Sequence, residues 1–263
     1  MSEDVPGRPD QGRRPTKAER KEQARREREA LEQRLASRRR RNRLGVGLIA
    51  SGVLVAGVAF FASPDAGGIP APDVLLDRAA QAADAAGCSP VETTPPFEPA
   101  DQDQAHIDPN AGPPISLYPT IPPASGPHAD IPPGPLPAGV YDSLTPPDLY
   151  RAIHSLEHGA TTVWYDPAAP AAQVARLIDF YDRRLQDAEV GQDRVIVAPY
   201  DFAGDPAGLL PEGRQMAMTA WHRLQLCDRV DLAVAYDFTS QYSFPTSSSR
   251  DYQGDAPEPG AGL

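Results

Sequence analysis

The sequence has few residues of the types that most often mark a recognisable active site. Its 263 residues include two cysteines, three methionines and five histidines. It contains no Gly-rich phosphate loop, dinucleotide fingerprint, G-x-S-x-G elbow or CxxC pair, which excludes the nucleotide-binding, serine-hydrolase and thiol-redox sites that these patterns define. The candidate chemistry therefore lies with the histidines and the two cysteines.

Proline, in contrast, is abundant and unevenly placed. The chain has 31 prolines, and 20 of them lie between Pro64 and Pro147. This density predicts extended or irregular structure, so we expect one folded domain of ordinary size. A free linker is the usual outcome of such a composition. However, the segment 89–139, here called the proline-rich arm, also contains His106, Tyr118 and His128, and we expect it to lie across the domain surface.

An uncharged run of 19 residues, Leu44 to Ala62, separates a basic head from an acidic body. Residues 1–43 contain 15 Lys/Arg and 8 Asp/Glu, whereas the whole chain has a net charge of −11. As a helix the run would span about 28 Å, close to the hydrocarbon thickness of a bilayer. The basic residues before it predict a cytoplasmic N-terminus and an extracytoplasmic remainder. We therefore predict a single-pass anchor in the cell membrane at residues 44–62; a cleaved signal peptide is the alternative.

The regions on either side of this run have different predicted roles. Residues 1–43 form a partly disordered cytoplasmic head, and residues 13–43 are expected to contact anionic lipid rather than nucleic acid. Residues 63–87 are predicted to form a stalk. Residues 88–243 are predicted to form an extracytoplasmic α/β domain, of which the arm is a part, and residues 244–263 a disordered tail.

The domain is predicted to contain a small sheet of about three or four strands with packed helices. Helical periodicity and end signals predict four helices. The first covers 72–86 and ends before Gly87, and the second runs from an N-cap at Thr145 to Gly159. The other two cover 170–186 and 228–243. β-Branched, aromatic and apolar runs predict strands at 161–165, 194–200 and 214–227. Cys88 and Cys227 flank the domain, and in an oxidising compartment they predict one disulfide; two buried thiols are the alternative.

The segment HSLEHG, His154 to Gly159, places two histidines four positions apart. On a helix both imidazoles project from the polar face and can reach one ion. A solvated polar face is the simpler explanation, but four of the five histidines lie in the arm or on this helix. An arm laid across the helix would bring its histidines to the pair. We therefore predict a copper or zinc ion held by His106, His128, His154 and His158, with Glu157 and Tyr118 supporting these ligands.

Three functions follow from this segment. The first is metal binding by a membrane-anchored domain, where Met216 and Met218 would suit Cu⁺, although core packing is expected for both. The second is a cell-envelope interaction module without metal. The third is a zinc hydrolase, because H-x-x-E-H is the inverted zincin pattern, with Glu157 as the general base. Such enzymes are larger than this domain, so a non-enzymatic role is favoured.

The motifs also resemble those of the bacterial domain of unknown function 3105 family. The matching pieces occur in the same order and are Cys88, His106, PPASGPH at 122–128, Gly139, Tyr141, HSLEHG, VWYDP at 163–167, Pro199-Tyr200, TAW at 219–221 and Cys227. The resemblance implies a membrane-anchored envelope protein with no established activity. It points to His106, His128, His154, Glu157 and His158 as the important positions. The sequence departs from the family pattern at Ala129-Asp130, where an aromatic residue or Asn followed by Pro is usual, and at His222, where Gly is usual.

Overall fold

The computed structural model describes residues 70–186, 194–202, 204–205, 207–245 and 250–261. The predicted head at 1–43 and anchor at 44–62 lie outside these residues, so both stay predictions. Among the described helices, none is long and apolar enough to cross a membrane.

A mixed six-stranded sheet organises the described chain, which confirms the α/β class but exceeds the predicted strand number. Its four long strands are β5 (Thr161–Tyr165), β6 (Val195–Pro199), β7 (Met216–Ala220) and β8 (Arg223–Cys227). Two-residue strands β1 (Glu92–Thr93) and β4 (Gly139–Val140) form the edges, in the order β1-β8-β7-β5-β6-β4. The β4, β5 and β6 pairings are parallel, whereas β5, β7, β8 and β1 pair antiparallel. A second sheet pairs β2 (His106–Ile107) with β3 (His128–Ala129).

The single strand predicted over 214–227 is wrong, because this segment forms the hairpin of β7 and β8. The chain reverses at Trp221-His222, where His222 adopts a positive φ of 55°. Neither residue is a usual turn former, so local sequence did not indicate the reversal.

Four helices pack around the sheet: α1 (Pro72–Ala86), α2 (Leu149–Glu157), α3 (Ala171–Gln186) and α4 (Leu232–Tyr242). Gly87 ends α1 with φ 65°, as predicted. The predicted N-cap of α2 at Thr145 is wrong, because Asp148 accepts from the Arg151 amide instead. Pro146 precedes another proline, a position that disfavours helical backbone, so the helix begins later.

Alternate residues of the strands serve two cores on opposite faces of the sheet. Val163, Val197 and Met218 face α1, α3 and α4. Trp164, Ile196 and Ala217 face α2 and the proline-rich arm. The arm thus packs Phe97, Ile115, Tyr118 and Leu136 into the core on this face of the sheet, together with α2, instead of hanging free as a linker.

Both ends of the described chain are part of the fold. Helix α1, inside the segment assigned to a stalk, buries Leu75 in the core that it shares with α4. The predicted disulfide is confirmed, and it joins Cys88 after α1 to Cys227 at the end of β8. Residues 250–261, here called the C-terminal strap, lie within the segment 244–263 that was predicted to be a disordered tail. The strap is held by backbone hydrogen bonds to α2 and by Arg194, interactions that composition does not reveal.

Candidate metal site

The second, two-stranded sheet delivers two arm histidines to helix α2. His106 and His128 lie opposite each other in the parallel β2–β3 pairing. Helix α2 packs against β3 and supplies His154 and, one turn later, Glu157. These four residues, here called the tetrad, each offer one ligand atom, and the four atoms all lie within 4.8 Å of one another.

Glu157 contacts both histidines of the arm. Its Oε2 lies 3.0 Å from His128 Nε2 and 3.6 Å from His106 Nε2. The His154 ring centroid is 4.9 Å from that of His128 and 5.0 Å from that of His106. Three imidazoles and one carboxylate therefore converge on one small volume.

The tetrad is buried on all sides but one. His128, His154 and Glu157 are 0%, 1% and 2% exposed, whereas the His106 side chain is 41% exposed. Polar groups are costly to bury unless they are paired with each other or bind an ion. The tetrad thus combines three buried residues with one that is exposed to solvent.

His128 is oriented by hydrogen bonds on the side away from Glu157. Its Nδ1 donates to the Gly126 carbonyl at 2.9 Å, which directs Nε2 toward the tetrad. The adjacent peptide is fixed by Tyr118, whose hydroxyl donates to the Pro127 carbonyl at 2.5 Å. Tyr118, which was predicted to support the ligands, thus contacts the loop before His128 rather than a ligand ring.

His154 is set up to remain neutral. Burial, together with positive charge at His128 and His158, lowers its pKa to about 4. Its Nδ1 is buried and finds no hydrogen-bond partner within the described part of the chain. An uncharged imidazole with an unpaired buried nitrogen is a suitable metal ligand.

Glu157 remains ionised despite its burial. Burial alone would raise the pKa of Glu157, but the hydrogen bond from His128 and the positive charges of the neighbouring histidines hold it below the ordinary value. The carboxylate is therefore a negatively charged donor inside the tetrad. It was predicted to support the ligands and instead stands among them.

His158 occupies a different position from the predicted one. Helix α2 ends at Glu157, and His158 is its C-cap with φ −85° and ψ 7°. Although its ring lies 4.7 Å from that of His154, it is grouped with Glu157 and Glu258 rather than with the arm histidines. The pair that helix α2 offers to the arm is thus His154 and Glu157, three positions apart.

This arrangement does not favour a hydrolase. The inverted zincin mechanism needs both motif histidines on one zinc ion and the motif glutamate beside them as a free base. Here Glu157 lies in the tetrad while His158 lies outside it. The two methionines also take no part, because Met216 and Met218 are fully buried in the core on the opposite sheet face.

A buried polar network that the sequence did not indicate supports the loop before His128. Asp103 Oδ1 accepts from the Phe97 amide at 2.6 Å and from the Ser125 hydroxyl at 2.7 Å. Its Oδ2 accepts from His222 Nε2 at 2.8 Å. His222 therefore binds a carboxylate of the arm and is not a member of the tetrad.

Comparison with known proteins identifies one family. The model of the family described as "Protein of unknown function (DUF3105)" matches residues 114–256. This range includes His128, His154, Glu157 and His158 and leaves out His106 and Cys88. No curated protein and no solved structure matches the chain.

Proposed function

This chain belongs to the DUF3105 family, as its motifs predicted, and we propose that it binds a divalent transition-metal ion, Zn²⁺ or Cu²⁺, through the tetrad. The observation that supports this proposal is the convergence of three imidazoles and one carboxylate on a buried volume. We also propose that residues 44–62 anchor the domain in the cell membrane and that the domain lies outside the cytoplasm. The uncharged run and the basic residues before it support this placement.

The distances in the tetrad suit a small ion. Zinc–nitrogen bonds are about 2.0–2.1 Å long, so four ligand atoms at the corners of a tetrahedron around zinc lie about 3.3 Å from one another. The 3.0 and 3.6 Å distances from Glu157 Oε2 to His128 and His106 lie on either side of that value. Shifts of a few tenths of an ångström would bring both distances to the value expected for a tetrahedral zinc site.

The donor types narrow the choice of metal. Imidazole nitrogen favours Zn²⁺, Cu²⁺ and related ions, whereas Cu⁺ prefers thiolate or thioether sulfur. The tetrad contains no sulfur, and one carboxylate balances part of the charge of a dication. The site therefore suits a divalent ion better than Cu⁺.

Metal titration of the purified full-length chain tests the proposal. We expect tight binding of Zn²⁺ or Cu²⁺ in parallel titrations, and its loss in His154→Asn and Glu157→Gln. Asp179→Asn is the matched control for Glu157→Gln, because it removes an exposed carboxylate on α3. Circular dichroism checks that the variants fold. If the unaltered chain binds no more of either metal than both tetrad variants, the proposal is wrong.

The alternative of a metal-free interaction module also has an observation in its favour. His128 Nε2 and Glu157 Oε2 form a direct hydrogen bond that joins the arm to helix α2 without any ion. If this hydrogen bond is the only function of the tetrad, Glu157→Gln should lower the free energy of unfolding, and added metal should not raise it in the unaltered chain. If metal binds, it raises the melting temperature of the unaltered chain by mass action.

A further inference from the structure

A second group of ligands adjoins the tetrad and shares one residue with it. Glu157, His158 and Glu258 also offer donor atoms within 4.8 Å of one another. His158 Nε2 lies 3.7 Å from Glu258 Oε2, and the His158 side chain is 6% exposed. This set, here called the Glu258 group, contains one nearly buried imidazole and two carboxylates.

The position of Glu258 is fixed by the backbone of the C-terminal strap. The Glu258 amide donates to the Glu157 carbonyl at 3.1 Å, and the Gly260 amide donates to the His158 carbonyl at 3.3 Å. The strap thus runs along the end of α2 that bears both ligand groups. These two hydrogen bonds go to Glu157 and His158, the two residues at the end of α2 that belong to the Glu258 group.

Arg194 closes this arrangement from the side of the sheet. Its Nη1 donates to the His158 carbonyl at 2.9 Å and to the Ala261 carbonyl at 2.6 Å, and its Nη2 donates to Gly260. One guanidinium therefore joins the end of α2 to the strap. The His158 carbonyl at this helix end therefore accepts from a cationic donor in addition to the Gly260 amide.

We propose that the Glu258 group is a second divalent-metal subsite and that Glu157 bridges it to the tetrad. This inference deepens the proposed function and rests on it. A carboxylate has two oxygens, so one oxygen can serve the tetrad while the other serves the second ion. Bridged metal pairs of this kind are held by carboxylates and imidazoles.

The two subsites differ in the affinity that their surroundings allow. The tetrad has four donors, three of them buried, whereas the second subsite has three donors and Glu258 is 58% exposed. The second ion therefore keeps water as a ligand, binds more weakly and exchanges faster. Its donor set of one nitrogen and two carboxylates accepts Zn²⁺ and harder divalent ions such as Mn²⁺.

Equilibrium dialysis of the full-length chain against rising Zn²⁺, with metal analysis, tests this inference. We expect two equivalents for the unaltered chain and one for Glu258→Gln, with the affinity of the first equivalent unchanged within about twofold. Loss of a ligand should weaken the second equivalent at least about tenfold, the lower end of the effect seen for outer-sphere partners of metals. Arg194→Gln, which releases the strap, should also weaken it. Glu212→Gln is the matched control, because it removes an exposed carboxylate outside both groups.

The outcomes separate this inference from the proposed function. One equivalent in the unaltered chain, unaffected by Glu258→Gln, overturns the second subsite and leaves the tetrad as a mononuclear site. Two equivalents that persist unchanged in Glu258→Gln also overturn it, because the second ion then binds elsewhere. Absence of any bound Zn²⁺ or Cu²⁺ in the unaltered chain refutes the proposed function itself.

Discussion

His106 and His128 are directly paired residues of the β2–β3 ladder, and their ring centroids lie 4.6 Å apart. The strand register, rather than the helix, therefore sets the distance between two of the three tetrad imidazoles. This ladder has two residues in each strand, so it relies on the surrounding arm for its position.

Tyr118→Phe should weaken metal binding without removing a ligand. The variant loses the hydrogen bond to the Pro127 carbonyl, and the peptide before His128 becomes free to move. Partners of this supporting kind typically contribute about 10- to 100-fold in metal affinity. Zn²⁺ titration should show a weaker but still stoichiometric first equivalent. Tyr141→Phe is the matched control, because its hydroxyl also donates to a proline carbonyl, that of Pro137, away from the tetrad. Equal effects of the two substitutions would contradict this role for Tyr118.

Gly126→Ala should destabilise the domain through two separable effects. Gly126 has φ 119°, and an added Cβ would lie 2.7 Å from Tyr118 Cε1. Gly213→Ala isolates the backbone effect, because Gly213 has φ 80° but no atom within 4 Å of the added Cβ. Backbone strain should cost about 1–2 kcal/mol in both variants. The steric clash should add about 1–3 kcal/mol in Gly126→Ala alone. Urea unfolding measures both values, and an equal loss in the two variants would exclude the clash.

The Asp103–His222 pair should make stability depend on pH. The hydrogen bond to Asp103 raises the pKa of His222 above 6.5, although burial opposes this shift. Burial would raise the pKa of Asp103, but hydrogen bonds from His222, Phe97 and Ser125 hold it below 3.8. The His222 contribution is therefore complete below pH 6.5 and is lost as pH rises through its folded-state pKa. The Asp103 contribution is complete above pH 3.8 and is lost as pH falls through the folded-state pKa of Asp103.

The substitution His222→Asn tests whether the Asp103–His222 pair stabilises the fold in a pH-dependent way. Asn tolerates the positive φ of this position but does not titrate. The difference in unfolding free energy between the unaltered chain and the variant should be about 1–2 kcal/mol larger at pH 5.5 than at pH 9. If the difference is the same at both pH values, the pair does not contribute through its charge.

The sequence predicted those parts of the fold whose order is local. Strand β5 and helices α1 and α3 follow from β-branched runs, helical periodicity and the C-cap at Gly87. The two-residue strands of the arm have no periodicity to detect, and their pairing depends on a register between distant segments. For the same reason the strap was not foreseen, because backbone amides and one arginine hold it.

The candidate site shows the same limit at the level of single residues. Convergence of the arm on α2 was predicted from the unequal distribution of histidines, and the structure places His106, His128 and His154 together. The prediction grouped His158 with the arm histidines and set Glu157 beside them, whereas the structure places Glu157 in the tetrad and His158 next to Glu258. Helical periodicity does not specify the side chain of a C-cap residue such as His158, whose Nε2 lies 3.7 Å from Glu258 Oε2 in the strap.

The disulfide should stabilise the domain without contributing to the metal site. Cys227 is buried in the core formed by α1, α3 and α4, whereas the tetrad lies with α2 and the arm on the other side of the sheet. The bond spans a sequence separation of 139 residues, and the chain-entropy model assigns about 4–5 kcal/mol to a loop of that length. Replacing both cysteines by alanine should therefore lower the unfolding free energy by several kcal/mol. Under conditions where the variant is still folded, it should bind Zn²⁺ with unchanged stoichiometry and an affinity within about threefold of the unaltered chain. A selective loss of metal affinity in the folded variant would show that the two faces of the sheet are coupled.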